Sequence, residues 1–192
     1  FGYMVLNNDF LGFPPNSDPE GDQLGAAKVT CVHELRHCIQ FAYDSDDDQW
    51  FMEMDATTVE DLVYDQTDDN YNYLGTLFDE PQRSLMETGN HAYSTFVWGI
   101  YLAERFDTSL AERIWEGSRY APTFSAMQDS LLGLYGCDID SAFMEFCEWN
   151  YRSGIHYDSA GYSEQYPFEP AVGRFHFNYP VSLLTSPSNP SG

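Results

Sequence analysis

Apolar residues recur three or four positions apart over much of the chain, and this spacing predicts helices. The first predicted helix begins near residue 24 or 26 and ends at 43, after a loop rich in proline and glycine, and the second spans 50–64. Four more helices are predicted at residues 90–106, 110–116, 123–134 and 140–151. Alternating apolar and polar residues predict short strands at 3–10 and 175–179. The pattern favours a mainly α protein with minor β-strands near both ends, in which the later helices form a bundle behind the first two.

An acidic stretch at residues 44–49 separates the first two helices, and it has two interpretations. It is either a plain acidic turn or part of a calcium-binding loop. Four aspartates match positions 1, 3, 5 and 12 of such a loop: Asp44, Asp46, Asp48 and Asp55. Gln49, however, stands at the sixth position, where a calcium loop has glycine.

A second acidic stretch at residues 65–73 is predicted to be a loop. It is either simply solvated or a calcium site that uses three aspartates, which are Asp65, Asp68 and Asp69. Calcium is therefore one expectation for both acidic stretches, and a surface without metal is the other.

The charge of the chain is strongly negative, with 31 acidic and 8 basic residues and a formal net charge of −23. This charge argues against nucleic-acid binding, because phosphate groups would be repelled. It favours solubility, fits adaptation to salt, and could steer basic substrates towards the protein. No run of about 18 apolar residues occurs, so no membrane span is predicted. Aliphatic and aromatic residues make up 43% of the chain, which is typical of a globular protein.

The four cysteines are Cys31, Cys38, Cys137 and Cys147. Cys31 and Cys38 are seven residues apart on the first predicted helix, a span of about 10.5 Å, which is too long for a disulfide between them. Each could pair with Cys137 or Cys147, or all four could be free thiols. An even number of cysteines fits a secreted protein without proving secretion.

His33, Glu34 and His37 form a His-Glu-x-x-His motif within the first predicted helix. Residues four apart lie on one face of a helix, so the two imidazoles would point at a common position. Zinc prefers neutral imidazole nitrogens at about 2.0–2.1 Å. Glu34 lies about 100° further round the helix, where its carboxylate can act as the general base on a metal-activated water. The motif predicts a zinc hydrolase, and the alternative is a solvent-facing helix with two unrelated histidines.

A third protein ligand is needed if one coordination position is to stay open for water. Glu53 follows His37 by 16 residues, and an acidic turn between two antiparallel helices would bring it back over the histidines. Asp55 and Glu60 are rival candidates for the same role. Glu60 or Thr57 could instead orient a histidine, or lie on plain helix surface.

The two motifs together resemble those of gluzincin-type zinc metallopeptidases, and most of all a group of poorly characterised secreted bacterial metallopeptidases. In that group His-Glu-x-x-His-x-x-Gln is followed by Trp-x-x-Glu-Gly-x-Ala. This chain matches the pattern at Gln40, Trp50, Glu53 and Ala56, and Met54 replaces the glycine. The resemblance implies a zincin-like fold, a zinc ion held by the two histidines and the glutamate, and an edge strand before the active-site helix that lines the cleft.

Residues 1–184 are accordingly expected to form one zincin-like metallopeptidase domain, and 185–192 a linker to a further segment. The expected activity is zinc-dependent hydrolysis of peptide bonds in an extracellular, secreted protein, with protein or peptide substrates. The alternatives are a non-catalytic binding module with a structural or vestigial zinc site, and a zinc hydrolase of non-peptide substrates. Tyr93 and His91 are candidates for stabilising an oxyanion, and ordinary core or surface packing is the alternative for each.

Overall fold

The longest helix, α1, spans Asp22–Tyr43 and carries the His-Glu-x-x-His motif. It follows Gly21, whose φ of 103° is one that residues with a side chain rarely adopt. The structure, a computed structural model, describes residues 3–154, 157–158 and 160–163. The other α-helices of this part are α2 (Gln49–Val63), α3 (Leu74–Phe78), α4 (Asn90–Ser94), α5 (Phe96–Arg105), α6 (Leu110–Ser118), α7 (Thr123–Tyr135) and α8 (Ile139–Tyr151). The acidic stretch after α2 forms two short 3-10 helices, Asp65–Thr67 and Asp69–Tyr73.

The mainly helical prediction is confirmed, but the helix predicted at residues 90–106 is two helices, α4 and α5, that meet at Thr95. The Thr95 hydroxyl donates to the carbonyl of Ala92 at 2.6 Å, and the Ser94 hydroxyl donates to that of His91 at 2.7 Å. Such side-chain bonds compete with the backbone ladder of a helix. The helix is therefore interrupted where the Ser94 and Thr95 hydroxyls bond to backbone carbonyls, and the apolar pattern did not predict this interruption.

The strand predicted at residues 3–10 is not formed, and no strand occurs anywhere in the described part of the chain. The side-chain oxygen of Asn7 accepts hydrogen bonds from the backbone N–H groups of Asp9 at 3.0 Å and Phe10 at 2.8 Å. These bonds close a local turn, and Phe10 has a left-handed φ of 52°. The strand predicted at 175–179, the domain boundary at 184 and the linker at 185–192 all lie outside the described residues.

Helix α2 lies at the centre of the fold and packs against α1, α4 and α5. Gln40, near the end of α1, bonds to Met52 near the start of α2, whereas His33 bonds to Glu60 near the end of α2. Contacts that run in opposite directions along the two helices show that they are antiparallel. This arrangement is the one expected from the acidic turn between them.

The other side of α2 approaches α5 closely at Gly99. A Cβ atom at Gly99 would lie 2.7 Å from Met54 Sδ and would also overlap the Thr58 hydroxyl, so only glycine fits without rearrangement. Near the start of α2, Phe51 packs against Trp115 of α6 with ring centroids 4.9 Å apart. Because α2 is fixed on both sides, the carboxylates that it presents to α1 are held in register with the histidines.

All four cysteines are free. Cys31 and Cys38 are not bonded to each other, as predicted, and neither of them pairs with Cys137 or Cys147. None of the helices in the described residues combines the length and apolar character needed to cross a bilayer.

Candidate metal centre

Three side chains from α1 and α2 converge on one point. His33 Nε2 and His37 Nε2 are 2.9 Å apart, and Glu53 Oε2 lies 3.1 Å from the first and 3.5 Å from the second. Ligands at about 2.0–2.1 Å in a tetrahedron stand about 3.3–3.4 Å from one another. The measured separations lie on both sides of that value, so the three atoms are placed as a group that could hold a metal ion.

The other nitrogen of each imidazole already has a partner. His33 Nδ1 lies 2.5 Å from Glu60 Oε1, and His37 Nδ1 lies 2.7 Å from Gln40 Oε1. Because both partners are oxygen acceptors, each Nδ1 carries a hydrogen and donates it. With the hydrogen on Nδ1 in a neutral ring, each Nε2 has a lone pair that points at the other Nε2 and at a carboxylate. Three lone-pair donors this close require a positive charge between them, and either a metal ion or a proton can supply it.

The pKa values show how the group holds a proton in place of a metal. Burial lowers the pKa of His33, but hydrogen bonds to Glu53 and Glu60 outweigh burial and raise it to about 9. Burial raises the pKa of Glu53, but hydrogen bonds from His33 and His37 outweigh burial and lower it to about 2. The pKa of His37 is also raised. The polar surroundings of these residues therefore stabilise positive charge at the point where they converge.

Glu60 is an orienting residue in this arrangement and not a third ligand. It is 6% exposed, and burial raises its pKa to about 7 against the opposing effect of His33. Its carboxylate meets His33 on the ring edge away from His37 and Glu53. The prediction of Glu60 as a rival third ligand is therefore wrong, and its alternative role of orienting a histidine agrees with the geometry. Thr57 is fully buried, and its hydroxyl has no hydrogen-bond partner among the residues described.

Asp55 is also excluded as a ligand, because its buried carboxylate is fully engaged elsewhere. It accepts two bonds from the Arg36 guanidinium at 2.7 and 3.0 Å, one from the Gln40 amide at 2.9 Å, and one from the Trp115 indole at 2.9 Å. The Gln40 amide donates as well to the carbonyl of Met52 at 3.0 Å. These bonds fix the Gln40 side chain so that its oxygen faces His37. Asp55 therefore supports the site from behind, and it cannot be position 12 of a calcium loop.

Glu34 is half-buried on α1, and its carboxylate is not one of the three converging ligand atoms. Within the described part of the chain no hydrogen bond to this carboxylate is found. It lies close enough to Tyr93 to contribute to the raised pKa of that phenol, which is caused first by burial and then by Glu53. The role of Glu34 as a general base stays a prediction.

Two aromatic rings line the histidines. Tyr93 stacks on His33 with ring centroids 5.8 Å apart, and Phe41 stacks on His37 at 6.4 Å. His91, the other oxyanion candidate, is 1% exposed, and burial followed by the charge of Arg83 lowers its pKa against the opposing charge of Glu87. Of the two candidates, Tyr93 is therefore the one that the structure places at the group.

Among the residues that the structure describes, neither acidic stretch places three carboxylates close enough together to bind one metal ion, as the two histidines and Glu53 are placed. Asp44 instead accepts the backbone N–H of Asp46 at 2.9 Å, and Asp47 accepts that of Asp48 at 2.7 Å. These aspartates thus take part in local turn bonds. A calcium site there stays a prediction.

Sequence reasoning missed the contact of Trp115 with Asp55 and that of Tyr73 with Tyr93, whose ring centroids are 5.2 Å apart. Trp115 lies 60 residues from Asp55 along the chain, and no local pattern signals such a contact. The contact of Gln40 with His37 was predictable, because Gln40 follows His37 by three residues and so lies on the same face of the helix.

No protein-family model, no curated protein and no solved structure matches the chain. The functional interpretation therefore depends on the side chains of this site and on the resemblance of its two motifs.

Proposed function

We propose that the chain is a zinc-dependent endopeptidase in which His33, His37 and Glu53 bind the metal and Glu34 is the general base. One observation carries the proposal: two Nε2 atoms and one carboxylate oxygen converge, while both Nδ1 atoms are engaged by Glu60 and Gln40. Histidines with fixed tautomers and a common target are typical of metal ligands whose orientation is set by surrounding residues.

The donor set favours zinc over the other common metals of proteins. Calcium takes 6–8 oxygen ligands and magnesium prefers an octahedron of oxygens, whereas two of the three donors here are imidazole nitrogens. Two histidines and one glutamate are a ligand set of catalytic zinc sites, in which three protein ligands leave a position for water or substrate.

The chain's own residues supply the proton transfers and the orientation. A bound zinc ion would supply Lewis acidity, which polarises a substrate carbonyl and acidifies a water at the open position. Glu34 would accept the proton of the attacking water and pass it to the leaving amine. Tyr93 keeps its proton at neutral pH, since a phenol ordinarily titrates at about pH 10 and burial raises its pKa further. It can therefore donate a hydrogen bond to the carbonyl oxygen as that oxygen gains charge.

The proposal is tested by metal analysis together with a cleavage assay on a mixed peptide library. Glu34→Gln is expected to keep its zinc and to lower peptide hydrolysis by about 10²–10⁴-fold. Glu53→Gln is expected to lower the zinc content itself. Glu112→Gln, on the exposed first turn of α6, is the matched control and should change neither. The proposal fails if the Glu34 variant cleaves peptides at the parent rate, or if a chelator leaves cleavage by the parent protein unchanged.

A further inference from the structure

Carboxylates from three elements lie around the candidate metal centre. Glu53 and Glu60 of α2 are 3.1 and 2.5 Å from the two nitrogens of His33, and Glu34 follows His33 on α1. Asp69 begins the second 3-10 helix, whose last residue, Tyr73, packs on Tyr93 with ring centroids 5.2 Å apart. Burial and the negative charge of these carboxylates together raise the pKa values of two tyrosines, Tyr73 and Tyr93. Burial raises the pKa of Tyr73 to about 12, with further contributions from Asp69, Glu60 and Glu53, while Glu53 and Glu34 act on Tyr93. When all four carboxylates are ionised, they and one divalent cation sum to a formal charge of −2, so the ionised site stays negative when it holds metal.

The lysine and arginine side chains in the described part of the chain do not offset this field, because each of them is engaged elsewhere. The chain has eight Lys and Arg residues, and seven of them lie in the described part. Six form ion pairs with carboxylates: Lys28, Arg36, Arg83, Arg105, Arg113 and Arg152. The seventh, Arg119, lies over the ring of Tyr120 at the end of α6.

Arg36 is on the same helix as the histidines. Both of its hydrogen bonds go to the buried carboxylate of Asp55, which lies behind the site. It is therefore engaged in holding α1 to α2 and is not presented to a substrate. A negatively charged substrate would meet carboxylates at this site without a cation of the described residues to pair with.

We propose that the substrates of this site are cationic, namely peptides with lysine or arginine close to the scissile bond, and that acidic peptides are rejected. The inference rests on the proposed function and names its substrate class. A cleft lined by charge of one sign concentrates ligands of the opposite sign and repels those of the same sign. The net charge of −23 acts in the same direction at longer range.

The test compares internally quenched peptides with one randomised centre, flanked on both sides by either lysine or glutamate. At low salt the lysine-flanked set should give a kcat/KM at least about 10-fold higher. The ratio should fall towards one as salt is raised, since the Debye length shrinks from about 10 Å at 0.1 M to about 3 Å at 1 M. Circular dichroism at each salt concentration verifies that the protein stays folded.

A matched pair of variants separates the field of the site from the charge of the whole surface. Asp69→Asn removes one carboxylate beside the site, and Asp129→Asn removes one from the exposed face of α7. Asp69→Asn should lower the lysine-to-glutamate ratio about two- to five-fold, as expected for one charge at close range in a solvated cleft. Asp129→Asn should leave the ratio unchanged, and equal effects of the two variants would overturn the local inference.

A binding measurement distinguishes failure of this inference from failure of the proposed function. The zinc-loaded Glu34→Gln protein is titrated with fluorescently labelled lysine-flanked and glutamate-flanked peptides, and anisotropy reports the affinities. If no peptide is cleaved by the parent but lysine-flanked peptides bind more tightly, the peptidase proposal fails and the cationic ligand class stands. If peptides are cleaved but the two sets bind and react equally, or glutamate is preferred, the inference of cationic substrates is wrong.

Discussion

Replacing Glu60 by alanine removes the acceptor that holds His33, and the expected consequence is weaker zinc binding. The carboxylate lies 2.5 Å from His33 Nδ1, and both side chains are buried. Without it the imidazole N–H has no partner in a place that water does not readily reach, and the ring is no longer held in the orientation that points Nε2 at Glu53. The metal ligands themselves are unchanged by this substitution.

The size of the effect follows from the hydrogen bond and from proton competition. A hydrogen bond to a charged group contributes about 1.5–3 kcal/mol, and one tenfold step in affinity corresponds to about 1.4 kcal/mol. The zinc Kd of Glu60→Ala should therefore rise about 10- to 100-fold, the range found for partners of metal-binding histidines. Because a pKa of about 9 keeps His33 protonated at lower pH, zinc must displace that proton, and apparent affinity falls as the pH drops below 9. Loss of Glu60 also lowers this pKa and eases the competition, so the full loss of affinity shows at pH 9.5 and a smaller one at pH 7.

Chelator competition in zinc-buffered solutions measures the Kd of the parent protein and of three variants at both pH values. Glu60→Gln keeps an acceptor oxygen and should lose the least, and the exposed Glu112→Gln is the control for loss of one charge. A zinc Kd for Glu60→Ala that matches the parent within twofold at pH 9.5 would refute the reasoning. Such a result would mean that the contact with Glu60 does not orient the His33 imidazole for zinc binding.

Two further predictions concern stability. Burial raises the pKa of Asp61 from 3.8 to about 6, so the folded state binds this proton more tightly than the unfolded chain and stability falls as the pH rises from about 4 to about 6. Asp61→Asn keeps the acceptor for the Asn70 amide at 2.8 Å and should stabilise the protein at pH 7 by on the order of 2–3 kcal/mol, with little gain at pH 3.5. Urea denaturation at the two pH values measures this, and an equal gain at both would contradict the assignment to ionisation. Gly99→Ala should destabilise by about 1–3 kcal/mol through overpacking, since its Cβ would meet Met54 and Thr58, and an unchanged thermal midpoint would show that α5 can shift away from α2.

The sequence allowed the ligand group to be anticipated because its members depend on short-range rules. His33 and His37 share a helix face by spacing alone. The acidic turn after α1 is short, which favours an antiparallel arrangement of α1 and α2. Glu53 then falls opposite the histidines by counting residues. These steps need no knowledge of the rest of the fold, which is why they agree with the geometry.

The residues that support the group were less predictable, because their positions depend on contacts between distant parts of the chain. The sequence makes Asp55 a candidate metal ligand or calcium residue, but burial against α6 and bonds from Arg36 and Trp115 give it a different role. The strand at residues 3–10 was predicted from alternation, which indicates a strand only if a partner strand is present. In this part of the chain the side chain of Asn7 satisfies the backbone locally instead.

The central position of α2 links the candidate metal centre to the stability of the fold. This helix buries Glu60 and Asp61 and half-buries Glu53, and buried carboxylates destabilise a fold unless positive charge lies near them. The histidines of α1 can supply that charge only by holding protons, which the raised pKa values of His33 and His37 reflect. A divalent cation bound by the neutral imidazoles would supply it instead, and a ligand that binds only the folded state at 100 times its Kd stabilises that state by about 2.7 kcal/mol. The acidic helix that would carry the third ligand is thus also a helix whose buried carboxylates a bound metal would stabilise.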